Sequence, residues 1–326
     1  MDARRGVGGE APLPSRGVMG IALVRSAPKA AAPGRRQLLR LRPWVPELLT
    51  LPALLAMAVV MGFPLAYLGY MSLHKWSMIG FEPPAFVGAR NFVALLGDER
   101  FTNSLWRTLY FTALGLATNI PAGLGIALLL SERFPGRNLL RALLIFPMVA
   151  TPVAMGLVWV VMLDPTLGIL RWLLGLVGIA APPLWLSDTA WVVPTLVMVD
   201  AWMWTPMVAL ICIAGLAALP VEPFEAAVVD GASAWQRFRY LTLPLMMPVL
   251  IVAAMLRLMD LLKVIDIVYV MTGGGPGYAS ETINLYNYLV ALSYDRIGYG
   301  AAVALVLFIL VLLCTLVLVR LRRSAW

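Results

Sequence analysis

Long apolar runs separated by short polar stretches dominate this chain. Uncharged segments extend from Leu48 to Leu73, Thr108 to Ser131, Ala142 to Leu163 and Ile297 to Val319. Each is close to or beyond the roughly 20 residues that an α-helix needs to cross hydrocarbon. Two further runs are interrupted by charge: Thr189 to Val221 contains Asp200, and Thr242 to Val270 contains Arg257, Asp260, Lys263 and Asp266. The pattern predicts an all-α, polytopic membrane protein with six transmembrane helices. Trp172 to Ser187 is also apolar, but it is short and broken by Pro182 and Pro183. It is expected to be an interfacial excursion (172–187) and not a seventh crossing.

Composition agrees with lipid as the solvent. Of 326 residues, 61% are hydrophobic and 13% are charged, and the mean hydropathy is +0.86; one soluble core cannot absorb so much apolar surface. Cations in the loops set the orientation, because Lys and Arg favour the cytoplasmic side. Arg35, Arg36, Arg40, Arg42, Arg133, Arg137, Arg141, Arg237, Arg239, Arg320, Arg322 and Arg323 fall on one side, against Lys75, Arg90, Arg100, Arg107, Arg171 and Arg296 on the other. Both termini are therefore expected in the cytoplasm (N-in/C-in). The net charge of +8 mostly reflects this bias and implies no nucleic-acid partner. Residues 1–42 read as a basic cytoplasmic tail, disordered because its first part is rich in Ala, Pro, Gly and Arg without an apolar period. Residues 43–326 read as the membrane domain. Arg35-Arg36 reads as the positive flank of an uncleaved span, in preference to a twin-arginine export signal.

Several chemistries are missing. The only lysines are Lys29, Lys75 and Lys263, and none follows a glycine, so a GxxxxGK[ST] phosphate loop is absent and nucleotide work falls to another chain. The run Gly273-Gly274-Gly275-Pro276-Gly277 lacks that lysine, lies on the outer side and reads as a flexible turn. With a lone His74 and two separated cysteines, Cys212 and Cys314, there is no metal-binding spacing, no Cys-His pair and no disulfide framework. No metal or cofactor is expected in this chain, and no nucleophile and base constellation supports an enzyme.

The polar segment 220–244 separates two spans on the cytoplasmic side. Pro223 suits the first turn of a helix, Glu222 and Glu225 complement its positive end, and Gly231 permits the left-handed turn that stops it. Ser233 is placed to cap a second helix bearing Trp235 and Phe238, before Pro244 opens the next span. Ala226 and Ala227 keep this knob narrow, while Glu225 and Asp230 present carboxylates to a partner's basic groups. By composition alone the segment reads equally as an amphipathic linker on lipid headgroups.

The order Glu225-Ala226-Ala227, then Asp230-Gly231-Ala232, Phe238 and Leu243-Pro244, resembles the coupling loop of bacterial ABC importer permeases, especially the carbohydrate-importing maltose and glycerol-phosphate type. Six spans, the outer segment Phe86-Val-Gly-Ala-Arg-Asn-Phe92 and the Thr272-Gly-Gly-Gly-Pro-Gly277 run extend the likeness along most of the chain; the long N-terminal tail departs from it. The resemblance implies a type I importer fold in the bacterial inner membrane, in which Glu225, Ala226, Ala227, Asp230, Gly231 and Ala232 form the surface gripped by an ATPase. It also implies the partners: a second, homologous permease, two ATP-binding cassette subunits that hold ATP and Mg, an extracytoplasmic solute-binding protein, and a carbohydrate substrate.

Arg257, Asp260, Lys263 and Asp266 recur every third residue with alternating sign, a drifting stripe along one helix. Charges there are costly against lipid. Asp200 lies roughly 17 Å into its own span, with Trp202 and Trp204 beside it, deeper than an interfacial aromatic belt. Carboxylates and guanidinium groups hydrogen-bond hydroxyls while indoles stack on sugar faces, so Asp200, Trp202, Trp204, Arg257, Asp260 and Lys263 are candidate path residues. Two other readings stay open. The charges pair with one another only to hold helices together, or Asp200, Asp260 and Lys263 relay protons in an ion-coupled secondary transporter. Tyr286, Asn287 and Tyr288 read equally as surface packing. A non-carbohydrate solute is compatible with the same pattern.

Overall fold

A computed structural model describes residues 44–79, 82–132, 134–179 and 182–324. The tail expected to be disordered, with Arg35 and Arg36, lies outside the described residues. Two compact units divide within the first helix, Met1–Met57 and Ala58–Trp326, and the second holds all the packed cores.

Helix α1 (Trp44–Ser72) ends at the strand β1 (His74–Lys75), which pairs antiparallel with β2 (Ala85–Phe86). Asn91, on α2 (Arg90–Leu96), donates to the Ser72 and His74 carbonyls and locks this segment. Helix α3 (Glu99–Ser131) starts at Asp98, whose carboxylate accepts from the Arg100 and Phe101 amides. Next come α4 (Arg137–Val149), α5 (Pro152–Met162), α6 (Ile169–Leu176) and α7 (Val192–Ala217). The polar segment holds α8 (Glu222–Val229) and α9 (Ala234–Arg237). Through a π-helical turn (Phe238–Thr242), α9 continues into α10 (Leu243–Leu262). Then follow α11 (Asp266–Thr272), α12 (Ile283–Tyr288), a second π turn (Leu289–Ser293) and α13 (Ile297–Ser324).

Among the described residues, five helices are long and apolar enough to cross a membrane, and the count reaches six if α4 and α5 together make one crossing. The straight span expected over Ala142 to Leu163 is instead two helices meeting at 100°. Pro152 opens α5, and the residue before a proline is driven out of the helical region; Ala150 (ψ 147°) and Thr151 (ψ 136°) are both extended. At about 1.5 Å per residue, the eight residues of α6 reach only about 12 Å, too short to cross hydrocarbon.

Helices α3, α7 and α10 form the packed centre. Lipid supplies little hydrophobic drive between helices, so close approach through small residues carries the packing. A Cβ at Gly115 of α3 would lie 2.7 Å from Leu261 Cδ2, and one at Gly123 would lie 2.7 Å from Val208 Cβ. One core joins Leu124, Ala127, Val208, Cys212, Met246 and Ala253. Another joins Leu95, Phe101, Ile283, Tyr286, Tyr299 and Val303. There the Tyr286 and Tyr299 hydroxyls both donate to Asp98, at 2.6 and 2.7 Å. Arg100 forks onto Glu281 at 2.7 Å beside the Tyr278 ring.

The charged stripe is also interrupted. The fifth span, expected to run to Val270, ends at Leu262, and Asp266 instead starts a separate helix. Side chains from the α12 region take up the freed carbonyls: Asn284 donates to Lys263 at 2.6 Å and Thr282 to Val264 at 3.0 Å. The glycine run is a turn, tied by Ser280, whose hydroxyl donates to the Gly275 carbonyl at 2.6 Å.

Candidate functional site

The Arg257 guanidinium on α10 lies 2.5 Å from the Asp200 carboxylate on α7, and the two side chains are 1% and 5% exposed. Helix α3 contributes Asn119, which donates to Asp200 at 3.4 Å and accepts from Thr205 at 3.1 Å. Asn119 also donates to the Gly115 carbonyl at 2.7 Å. Three helices are thus joined by one buried polar network. Asn119 and Thr205 did not emerge from the sequence reading. The available signal was an amide amid an otherwise apolar span.

A cavity of about 260 Å³ opens beside this network, lined by Pro152, Asp200, Trp204, Arg257, Asp260, Lys263 and Asp266. Five of the six candidate path residues therefore meet at one place although the stripe is not one helix. Helix α7 begins at Val192, which puts Asp200 about 12 Å from its N-terminus. Arg257 sits 5.7 Å over the Trp204 ring and 3.9 Å from Asp260. Its Nε has no hydrogen-bond partner. Trp202 is not part of this lining: it is exposed and meets Trp159 edge-on at 5.6 Å. Two residues along a helix rotate a side chain by about 200°, so Trp202 and Trp204 cannot share a face.

The segment Glu222 to Arg237 folds as the residues dictate. Helix α8 carries Pro223 and Glu225 in its first turn and stops at Gly231, whose φ of 77° is left-handed. The Ala232 amide reaches the Ala227 carbonyl at 2.9 Å and the Gly231 amide that of Val228 at 3.1 Å, the paired bonds of a Schellman stop. Ser233 then caps α9 in a reciprocal box with Gln236. Glu225, Ala226, Asp230 and Gly231 are exposed, whereas Ala227 and Ala232 are half-buried. Val229, Trp235 and Tyr240 also stand open. Pro244 stands in the first turn of α10 as expected, where the amide hydrogen bond that proline cannot make is least missed, and the π turn before it joins α9 to α10 in one helical path over Ala234–Leu262.

The sequence profile of binding-protein-dependent transport system inner membrane components matches residues 119–324. The chain belongs to this family. Its permease relatives include the trehalose/maltose transport system permease protein MalF of Thermococcus litoralis, 37% identical over 85% of this chain and 92% of that protein. The sulfoquinovosyl glycerol transport system permease protein SmoG of Agrobacterium fabrum is 31% identical over 85% of this chain and 90% of its own. Among solved structures, a bacterial alginate ABC transporter in complex with an alginate pentasaccharide-bound periplasmic protein aligns with a TM-score of 0.73. It is 21% identical, covering 86% of this chain and 94% of that one, and its likeness concerns the fold. The membership is that of a transport subunit, and an ion-coupled carrier is not favoured. Both the cavity and the α8 corner of this permease fall inside the matched region.

Proposed function

We propose that this permease is one of two transmembrane subunits of an ATP-driven importer for a sugar, polyol or related carbohydrate. In this reading it sits in the bacterial inner membrane with both termini in the cytoplasm. It pairs with a second, similar permease, and two ATPases that carry ATP and Mg grip Glu225, Ala226, Ala227, Asp230, Gly231 and Ala232. An extracytoplasmic solute-binding protein delivers the carbohydrate to the outer side.

The observation that carries the coupling part is the helical path from Ala234 to Leu262, 29 residues and about 44 Å long, continued through the π turn at Phe238–Thr242. It begins three residues after the Gly231 corner and bears Arg257 and Asp260 near its far end. A displacement imposed on the corner is carried along this path to the cavity wall, the kind of movement by which packed helices switch between discrete arrangements. The carbohydrate part is supported by relatives at 37% and 31% identity whose names specify trehalose/maltose and sulfoquinovosyl glycerol. Trp204 and the hydrogen-bonding groups around it suit such a solute chemically.

The test is uptake into proteoliposomes holding both permeases, the ATPases and the binding protein. Glu225→Lys and Gly231→Pro are expected to abolish ATP-dependent uptake while the complex still assembles. Undiminished uptake in both variants would remove the coupling assignment.

A further inference from the structure

The cavity between α7, α10 and α11 has a charge balance that bears on which carbohydrates it accepts. Asp200, Asp260 and Asp266 oppose Arg257 and Lys263 among its lining residues, so carboxylates outnumber cations. Arg257 is already committed: Asp200 holds it at 2.5 Å and Asp260 stands 3.9 Å from it. Lys263 is exposed and enters no ion pair among the described residues. Arg257 is 1% exposed and its charge is already matched, so it offers an entering anion no free cation. A neutral solute can instead hydrogen-bond through its hydroxyls to the half-exposed Asp260 and to Lys263, with the Trp204 ring beside them to take the apolar face.

We infer that this cavity is a subsite for neutral, hydroxyl-rich solutes that discriminates against phosphorylated, sulfonated or carboxylated ones, with Asp260 as the residue that sets the discrimination. The inference rests on the carbohydrate-importer reading and narrows it. An entering phosphate meets Asp260 and Asp266 with only Lys263 to pair with, and like charges at such distances repel even at the effective dielectric of a protein surface. Asp260 also occupies the side of the Arg257 fork that an anionic solute needs for a bidentate pair. Converting it to Asn removes the repulsion while keeping the shape. The Asp260 side chain is 49% exposed, so an isosteric amide leaves the helix packing intact.

The full complex in lipid nanodiscs, without binding protein, is titrated with trehalose, maltose and sucrose and with the 6-phosphate of each. The readout is the tryptophan fluorescence change that disappears in Trp204→Phe. At least one neutral disaccharide is expected to give a saturable, Trp204-dependent change, its phosphate requiring about tenfold more ligand for the same response. Asp260→Asn is expected to close most of that gap, chiefly by improving the response to the phosphate. A phosphate that binds as well as its parent sugar, no Trp204-dependent response to any neutral sugar, or a gap unchanged in Asp260→Asn would each overturn the inference. ATP-dependent uptake by the same complex separates the two levels: carbohydrate uptake with no signal at Trp204 sinks the subsite alone, whereas absence of any carbohydrate uptake sinks the importer reading.

Discussion

Arg257 and Asp200 stand 57 residues apart in sequence and 2.5 Å apart in space, each nearly sealed from solvent. Burying two charges is favourable only when each compensates the other. The pair therefore fixes the register of α10 against α7, and Asn119 extends the tie to α3. Removing one partner leaves an uncompensated charge, a loss of about 3–5 kcal/mol. Asp200→Leu and Arg257→Leu are each expected to lower the melting temperature of the solubilised protein sharply. The double variant should fall well short of the summed losses. Additive losses in a double-mutant cycle would show that the two residues do not work as a pair.

Gly231 occupies a left-handed conformation at φ 77° with open space around it. A Cβ there meets no clash, so Gly231→Ala is expected to fold at a local cost of about 1 kcal/mol, confined to the turn. Hydrogen exchange should quicken at the Gly231 and Ala232 amides and remain unchanged in the core of α10. Global destabilisation would show that the corner is a structural keystone and not a local stop.

Gly123 differs because the obstacle is fixed. A Cβ there would lie 3.1 Å from the Ala209 backbone nitrogen as well as 2.7 Å from Val208 Cβ. Gly123→Val should separate α3 from α7 and destabilise the protein by about 1–3 kcal/mol, the range for overpacking. Gly125→Val, at a position with nothing within 4 Å, is the control expected to melt near the parent temperature.

Asp98 links pH to the core around Tyr286 and Tyr299. Burial raises its carboxyl pKa, but hydrogen bonds from the Tyr286 and Tyr299 hydroxyls and the Phe101 and Arg100 amides outweigh this and hold it below the usual 3.8. A depressed folded-state value gives stability that is present above the unfolded pKa and disappears as pH falls through the folded one. Thermal melts should therefore show an acid-side loss beginning near pH 3.8 in the parent protein. Asp98→Asn should be less stable at neutral pH and flatter in the acid range. Parallel pH profiles would rule out this linkage.

The α8 corner was legible residue by residue. Pro223, Gly231, Ser233 and Gln236 act within a few positions of one another, and their turn and cap chemistry needs no distant partner. The apolar runs were equally legible, because the length needed to cross hydrocarbon is a local property. The third span shows a middle case: the restriction that Pro152 places on Thr151 was present in the sequence, but only the geometry revealed a bend of 100°.

The sequence by itself determined that this is a helical membrane protein, where its polar knob lies, and which charged residues must escape lipid. The tertiary structure decided their partners. The break after Leu262 depends on Asn284 and Thr282 arriving from elsewhere to donate to the freed carbonyls, and the Asp200 to Arg257 tie depends on helix register. Facing was decided there too, with Trp204 turned to the cavity and Trp202 away from it. Local pattern encodes backbone preference and the cost of burial. Which buried charge meets which is settled only when helices distant in sequence close on one another.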